Sequence, residues 1–162
     1  VQMVTNMGIV AFELYPAKAP LSVDNFLRYV EGGFYTNTIF HRVIPNFVAQ
    51  AGWFKSGLTP MMSTFGPIAL ESNNGLSNTK GTLAMARTSA PNSATSQFYV
   101  NLIDNPYLNY ASAANPGYAV FGKVIAGLDV IDAIGLVPTG NNKGLSDVPI
   151  TEVQILSMAR IK

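Results

Sequence analysis

The fold of this chain is decided by FHRVIPNFVAQAG, residues 40–52. The stretch begins as a β-prone run and contains the single histidine of the chain. Because side chains alternate between the two faces of a strand, Phe40 and Arg42 are predicted to share one face, and His41 and Val43 the other. The pattern therefore predicts a strand that presents one cation among apolar side chains.

A second strand is predicted directly after Pro45 and Asn46, which favour a turn or a bulge. Its faces are expected to carry Phe47, Ala49 and Ala51 on one side and Val48 and Gln50 on the other. A hairpin of this kind brings a guanidinium, a carboxamide and a phenyl ring close together. Such a surface suits an apolar, uncharged substrate that carries a carbonyl dipole.

The rest of the chain contains further short β-prone runs. Strands are predicted within Val1 to Tyr15, with a turn at Asn6-Met7-Gly8, and at Ile68 to Leu70, Thr82 to Ala86, Gln97 to Asn101, Tyr118 to Ile125 and Ile150 to Ile161. Residues 55–80 are otherwise expected to be irregular, residues 104–109 to form one helical turn and residues 138–149 to form a loop. The side chains predicted to face the interior are Phe12, Leu14, Phe98, Val100 and Phe121, with Gln97 and Tyr99 on the opposite face of their strand.

Two helices separate these strands. The first is predicted to begin at Pro20 and to end at Gly32-Gly33, with an apolar stripe formed by Val23, Phe26, Leu27 and Val30. Asp24 is assigned to its first turn, where the helix dipole favours a carboxylate. The second follows Gly127 and contains Leu128, Ile131 and Ile134. Many short strands with two separated helices fit a closed or nearly closed antiparallel barrel with a helix over each mouth, although an open α+β sheet has the same pattern.

Length and composition indicate one domain, residues 1–162, large enough to bury a core. Charged residues make up 12% of the chain and the net charge is +1, without a run of either sign, so nucleic acid and anionic membranes are not expected as partners. The absence of cysteine excludes disulfides and cysteine-ligated metals, and one histidine gives no support to a metal site. No signal peptide is evident, which is compatible with either its absence or its removal.

Three segments resemble those of the cyclophilin-type peptidyl-prolyl isomerases: FHRVIPNFVAQAG, then GTLAMARTSAPNSATSQFYVN at residues 81–101, and AVFGKV at residues 119–124. The resemblance extends over nearly the whole chain. It implies a mainly β fold, a closed eight-stranded antiparallel β-barrel capped by two α-helices, with a filled interior and the active site on the outside. It also implies isomerisation of X-Pro bonds in peptides and unfolded protein chains, without a cofactor.

The resemblance assigns catalysis to Arg42, Gln50 and Phe47. An isolated arginine is usually a surface residue paired with a carboxylate, but no acid lies within this motif. The matching arginine of the family contacts the prolyl carbonyl and the imide nitrogen, and the glutamine orients it. The residues matched to substrate binding are Val48, Ala86, Arg87, Thr88, Gln97, Tyr99, Tyr107, Leu108 and Tyr118; composition alone would place the apolar ones in the core.

Several positions depart from the best-known eukaryotic pattern. Tyr107 replaces a tryptophan whose indole N–H helps to hold cyclosporin, and Tyr118 replaces a histidine; the other departures are Val48, Ala51, Arg87 and Tyr99. The replacements at 107 and 118 resemble bacterial cyclophilins, and GYAVFGKV most resembles the periplasmic type. We therefore expect a bacterial, periplasmic isomerase, with a cytoplasmic location as the alternative, and weak cyclosporin binding.

Two apparent motifs are set aside. His41 has no readable nucleophile or acid partner, so it is expected to be structural. Residues 117–123 nearly spell a phosphate-binding loop, but Val124 stands where a hydroxyl residue is required. The favoured function is a monomeric, cofactor-free folding catalyst. The alternatives are a proline-peptide binding module or holdase, and a barrel that binds a small ligand inside.

Overall fold

The strands and helices lie close to the predicted segments. In the computed structural model, which describes residues 1–161, the strands are β1 (Gln2–Thr5), β2 (Gly8–Leu14), β3 (Thr38–Ile44), β4 (Val48–Lys55), β5 (Thr59–Pro60), β6 (Thr82–Met85), β7 (Phe98–Asn101), β8 (Val120–Ala126), β9 (Thr139–Asn142), β10 (Leu145–Pro149) and β11 (Gln154–Ala159). The helices are α1 (Pro20–Glu31) and α2 (Leu128–Ile134), and Pro106–Leu108 form one turn of 3-10 helix.

Eight strands form a closed ring. Their order is β3-β11-β1-β2-β8-β6-β7-β4, and the pairing of β4 with β3 closes the sheet, while β5 is attached to β4 outside the ring. Every pairing in the ring is antiparallel. The predicted eight-stranded antiparallel barrel is therefore confirmed, and the open α+β sheet is excluded.

The interior of the barrel is filled with aromatic and aliphatic side chains. The Phe26 ring lies 5.4 Å from the Phe98 ring and 5.2 Å from the Phe121 ring, measured between centroids. Phe12 and Val100 are buried in the same core, as predicted, and the half-buried Leu14 packs against it. Burying each large apolar side chain stabilises the fold by about 1.5–3 kcal/mol. A filled core gives no support to a ligand site inside the barrel.

Helix α1 packs its predicted stripe against this core, and Pro20 is its first residue. Asp24, however, lies beyond the first turn, so its assignment to the helix N-terminus is wrong. The carboxylate at that end comes from Glu71, which accepts hydrogen bonds from the backbone N–H groups of Leu21 (3.2 Å) and Ser22 (2.6 Å) and from the Ser22 hydroxyl (2.8 Å). The long segment before β6 is thereby attached to α1.

The prediction of a loop at residues 138–149 is wrong, because β9 and β10 form an antiparallel hairpin there. Both strands are short and irregular in register, and β9, with the sequence TGNN, lacks the apolar alternation of a strand. Val148 nevertheless packs with Ile39 and Phe54 in a small cluster separate from the main core. Two further boundaries differ: residues 68–70 form only an isolated bridge between Ile68 and Ala94, and β11 begins at Gln154.

The face assignments in the first motif also need correction. Phe40 pairs with Ala51 and Arg42 with Gln50, so two steps along β3 match one step along β4, and β3 bulges between them. As a result Phe40 and Val43 both enter the core, and Phe40 does not share a face with Arg42. Phe47 lies in the turn before β4 and packs beside Val48, not on the face of Ala49 and Ala51.

Candidate active site

A cleft lies on the outer surface of the barrel, against β4 and β7. Its walls are Arg42, Phe47, Val48, Gln50, Ala86, Arg87, Tyr99, Leu108 and Tyr118, all of which are among the residues singled out from the sequence. A groove continues from the cleft and is lined by Gln50, Trp53, Ala86, Arg87, Thr88, Ser93, Thr95 and Gln97. Tyr107 lies at the edge of the cleft, where its ring stacks on that of Phe47 at 6.1 Å between centroids.

Strand alternation positions the floor of the cleft. On β7, Phe98 and Val100 point into the core, whereas Tyr99 between them belongs to the outer cluster with Val48. The register of β4 with β7 places Gln50 directly opposite Tyr99. One pair of strands therefore supplies both the barrel interior and the binding surface.

Arg42 is held by a chain of amides. Its Nη1 donates to Gln50 Oε1 at 3.3 Å, and Gln50 Nε2 donates to Gln97 Oε1 at 2.8 Å. The bulge in β3 directs Arg42 toward this pair. Among residues 1–161 no carboxylate lies within 4.0 Å of the guanidinium, so its charge is not neutralised by an ion pair. The arrangement offers a fixed cationic donor at the edge of an apolar surface.

That apolar surface is a shallow cup formed by Phe47, Val48, Tyr99 and Leu108. Val48 and Tyr99 are almost fully buried, with 2% and 4% of their surface exposed, so they form the floor. The Arg42 guanidinium carbon lies 5.9 Å from the centre of the Phe47 ring. A small apolar ring in the cup would therefore lie next to the Arg42 donor.

A buried network of asparagines, which was not predicted from the sequence, supports the cup from below. Asn78 Oδ1 accepts from the Tyr99 hydroxyl at 2.7 Å and from Asn101 Nδ2 at 3.0 Å, and Asn78 Nδ2 donates to the Leu108 carbonyl at 3.1 Å. Asn105 Nδ2 donates to the Phe47 carbonyl at 3.0 Å and to Asn101 Oδ1 at 2.9 Å. The available signal was Asn101, which ends an apolar strand on the same face as Tyr99.

The opposite wall of the cleft is held by Arg87. Its Nε and Nη2 donate to the Gly117 carbonyl at 3.1 Å and 2.7 Å, and its Nη1 donates to the Thr88 carbonyl at 2.8 Å. The guanidinium carbon also lies 4.6 Å from the centre of the Tyr118 ring, which meets the Tyr99 ring edge-on at 6.0 Å. Arg87 thus joins the segment after β6 to the segment before β8.

Comparison with known proteins explains this arrangement. The family model described as cyclophilin type peptidyl-prolyl cis-trans isomerase/CLD matches residues 1–159. This chain belongs to the cyclophilin family. The match covers every strand of the barrel and both helices.

Bacterial relatives are similar over nearly the whole length. A peptidyl-prolyl cis-trans isomerase of Acinetobacter baylyi is 54% identical over 158 residues, covering 98% of this chain and 83% of the relative. Peptidyl-prolyl cis-trans isomerase B of Escherichia coli is 49% identical over 156 residues, covering 95% and 94%. A crystal structure of a Cryptosporidium parvum cyclophilin, obtained in the presence of the dipeptide Ala-Pro, has a TM-score of 0.83 at 30% identity and covers 99% and 98%. This cyclophilin is a peptidyl-prolyl cis-trans isomerase.

Two ionisable groups near the cleft of this cyclophilin have displaced pKa values. Burial, with a smaller contribution from the positive charge of Arg42, lowers the pKa of His41 to about 4. Burial also raises the pKa of Tyr99 well above its usual value, so its phenol stays protonated and donates to Asn78. Neither group is ordinarily charged at neutral pH.

His41 does not line the cleft. Its ring meets those of Trp53 and Phe54 edge-on, at 5.7 Å and 5.1 Å between centroids, and Nδ1 makes no hydrogen bond within residues 1–161. A packing role, as predicted from the sequence, accounts for these contacts. Over the same residues, no group of three His, Cys, Asp or Glu side chains is arranged to hold a metal ion, and no helix is long and apolar enough to span a bilayer.

Proposed function

We propose that this cyclophilin isomerises X-Pro bonds by stabilising the twisted imide through Arg42, without covalent chemistry, and that it assists protein folding. Rotation of a peptide bond is opposed by about 18–20 kcal/mol because the nitrogen lone pair is delocalised into the carbonyl. In the twisted form this lone pair is localised on nitrogen and can accept a hydrogen bond. A donor that engages it stabilises only the twisted state and so lowers the barrier.

The single observation that carries this proposal is the setting of Arg42. A guanidinium that Gln50 orients, and that no carboxylate of residues 1–161 neutralises, lies beside an apolar cup. The cup would hold the pyrrolidine ring, while the backbone of residues 86–88 would pair with the residue before proline. The Cryptosporidium parvum structure obtained with Ala-Pro supports a proline-containing ligand. With the ring anchored, the chain before it can rotate.

The test is the cis-to-trans rate of an Ala-Ala-Pro-Phe peptide with wild-type protein, Arg42→Ala and Arg42→Lys. We expect kcat/KM to fall by about a hundredfold or more in Arg42→Ala, equivalent to about 2.7 kcal/mol of transition-state stabilisation. Arg42→Lys keeps the charge but loses the planar fork that Gln50 orients, so it should recover little activity. Arg160→Ala removes an exposed arginine paired with Glu31 and serves as the matched control.

Equal activity of wild type and Arg42→Ala would refute the mechanism. Peptide binding with almost no acceleration by wild type would instead favour a proline-peptide binding module. Val48 and Tyr99, which alter the floor of the cup relative to the eukaryotic pattern, would then be the residues to exchange first.

We further propose that the protein acts as a monomer on unfolded chains in the periplasm. Uncatalysed X-Pro isomerisation takes about tens to hundreds of seconds, slow enough to limit folding. Acceleration of the slow refolding phase of a proline-limited substrate protein would support the folding role, and its absence would contradict it. Sedimentation of the full chain tests the monomer, and fractionation of the source cells tests the compartment.

Weak cyclosporin binding is also proposed. Tyr107 offers a hydroxyl where the eukaryotic pattern has an indole N–H, and this hydroxyl already donates to Asn105 Oδ1 at 3.1 Å. We therefore expect Tyr107→Trp to bind cyclosporin more tightly than wild type. A nanomolar dissociation constant for the wild-type protein, measured by calorimetry, would contradict the proposal.

A further inference from the structure

The cleft and the groove beside it share one charged side chain. Both are lined by Gln50, Ala86 and Arg87, so a bound peptide that fills the cup can extend past Arg87 into the groove. The groove is otherwise polar and uncharged, apart from the indole of Trp53. A substrate residue that enters the groove must therefore pass the positive charge of Arg87.

The charges along this path have one sign. Arg42 and Arg87 line it, and no Asp or Glu in the described part of the chain does. The ion pairs within residues 1–161 join Lys80 to Asp132 and Arg160 to Glu31, so neither cleft arginine has a carboxylate within 4.0 Å. Since the whole chain carries a net charge of only +1, this is a local concentration of positive charge and not a property of the whole surface.

Arg87 is also held in a defined orientation. Three of its hydrogen bonds go to backbone carbonyls, two to Gly117 and one to Thr88, and its plane lies near the Tyr118 ring. A guanidinium has five N–H donors, so two remain without an acceptor in the described part of the chain. Neutral carbonyls leave the positive charge uncompensated. A guanidinium held in this way can bind a carboxylate with little further loss of side-chain freedom.

We infer that Arg87 is a specificity-determining residue, which makes the enzyme favour substrates with an acidic side chain at one of the two positions before the proline. The inference rests on the proposed function for the placement of the proline ring in the cup. An acidic side chain there would meet the free donors of Arg87 and the field of both arginines. A basic side chain at the same position would be repelled.

The experiment measures kcat/KM for the peptides Ala-Xaa-Pro-Phe and Xaa-Ala-Pro-Phe, with Xaa as Glu, Gln or Lys. At an ionic strength of about 0.01 M, where the screening length is about 30 Å, we expect Glu to exceed Lys by about tenfold in at least one series, with Gln between them. At about 1 M, where the screening length is about 3 Å, the ratio should approach one.

Three variants identify the residue responsible. Arg87→Gln should reduce the Glu-to-Lys ratio to about twofold or less, and Arg87→Lys, which keeps the cation, should retain a higher ratio than Arg87→Gln. Arg160→Gln removes the same charge from an exposed ion pair with Glu31 and should leave the ratio unchanged. Because each ratio is taken within one variant, a general loss of activity or stability cancels.

Equal kcat/KM for Glu and Lys peptides in wild type at low salt would overturn the inference. It would also be overturned by a ratio that persists in Arg87→Gln, or by one that falls equally in Arg160→Gln. Failure of the proposed function gives a different result, since no peptide of either series would then be isomerised faster than in buffer.

Discussion

The hydroxyl of Tyr99 donates a hydrogen bond of 2.7 Å to Asn78 Oδ1 directly beneath the cup. Tyrosine stands here where the eukaryotic pattern has phenylalanine, and its extra hydroxyl is satisfied within the protein and does not project into the cleft. The ring can therefore form the same kind of apolar floor as a phenylalanine. The substitution is compatible with proline binding because the buried asparagine provides an acceptor.

Tyr99→Phe and Asn78→Ala should lower the unfolding free energy by different amounts, because Tyr99 forms the floor of the cup and Asn78 supports it. Tyr99→Phe removes one donor, while Asn78 Oδ1 still accepts from Asn101, so the unfolding free energy should fall by about 1 kcal/mol. Asn78→Ala leaves the Tyr99 hydroxyl and Asn101 without their buried acceptor and should cost about 2–4 kcal/mol. Urea unfolding measures both. Equal losses in the two variants would show that Asn78 is not the centre of the network.

The chain of hydrogen bonds from Gln97 through Gln50 to Arg42 predicts a graded loss of activity when its amides are removed. Gln50 touches Arg42 directly, whereas Gln97 acts through Gln50. We expect kcat/KM to fall by about tenfold in Gln50→Ala and by about threefold in Gln97→Ala, mainly through kcat because the alignment of Arg42 acts on the twisted state. Steady-state kinetics on a proline peptide measures both. An effect of Gln97→Ala larger than that of Gln50→Ala would contradict the claim that Gln97 acts through Gln50.

We expect the protein to lose stability in mild acid because of the lowered pKa of His41. Its pKa falls from 6.5 to about 4 on folding, so the unfolded chain binds more protons as the pH drops through this window. The unfolding free energy should therefore decline from about pH 6.5 to about pH 4, by at most about 3 kcal/mol from this residue. His41→Phe removes the titration and should flatten this part of the pH profile of urea unfolding. A wild-type slope that survives in His41→Phe would assign the effect to other groups.

Gly117 is expected to tolerate no side chain. Its φ is +66°, and a Cβ atom would lie 2.5 Å from the carbonyl oxygens of Leu108 and Asn109. Gly33 is the matched control, since its φ is +72° and nothing lies within 4 Å of a Cβ atom there. Gly33→Ala should therefore cost about 1–2 kcal/mol of backbone strain alone. Gly117→Ala should cost about 3 kcal/mol or more and lower activity by displacing the Leu108 wall.

Equal unfolding free energies for the two alanine variants would show that the wall can move aside. Thermal or urea unfolding measures the stability of each variant, and peptide kinetics measures its activity.

Glu71 is expected to stabilise α1 from a distance. Its carboxylate accepts from two backbone N–H groups at the helix N-terminus, which have no partner within the helix. Glu71→Ala should lower the unfolding free energy by about 1–2 kcal/mol and speed amide hydrogen exchange in the first turn. Asp24→Ala removes a carboxylate of the same helix outside that turn and should have little effect. Similar losses in both variants would argue against capping by Glu71.

The outward half of the site could be predicted from the sequence, since it depends on alternation within short strands. Alternation places Tyr99 opposite Phe98 and Val100, and the motif around Arg42 places Gln50 on the next strand. These relationships are local, spanning a hairpin or a single strand. The fold class followed from the number of short strands together with the family resemblance.

The remaining features depend on strand register, on weak strand signals or on contacts between distant segments. The bulge in β3 arises from its register with β4, so simple alternation gave the wrong face for Phe40. Glu71 reaches a helix 50 residues earlier in the chain, and Asn78 meets Asn101 across 23 residues. The β9–β10 hairpin was missed because both strands are short and β9 consists mainly of turn-prone Gly and Asn. Alternation along a single strand shows neither the register of β3 with β4 nor the distant partners of Glu71 and Asn78.

The closed ring of strands limits the strand edges that this protein exposes to other chains. Unfolded chains expose backbone groups that can pair with any free strand edge, and such pairing begins aggregation. Closure of β3 against β4 leaves the eight barrel strands paired on both sides along the ring. Outside the ring, β5 contains only Thr59 and Pro60, and proline has no N–H to donate. The other strands outside the ring, β9 and β10, pair with each other and are four and five residues long. Within residues 1–161 the fold thus presents only short strand edges on which another chain could assemble.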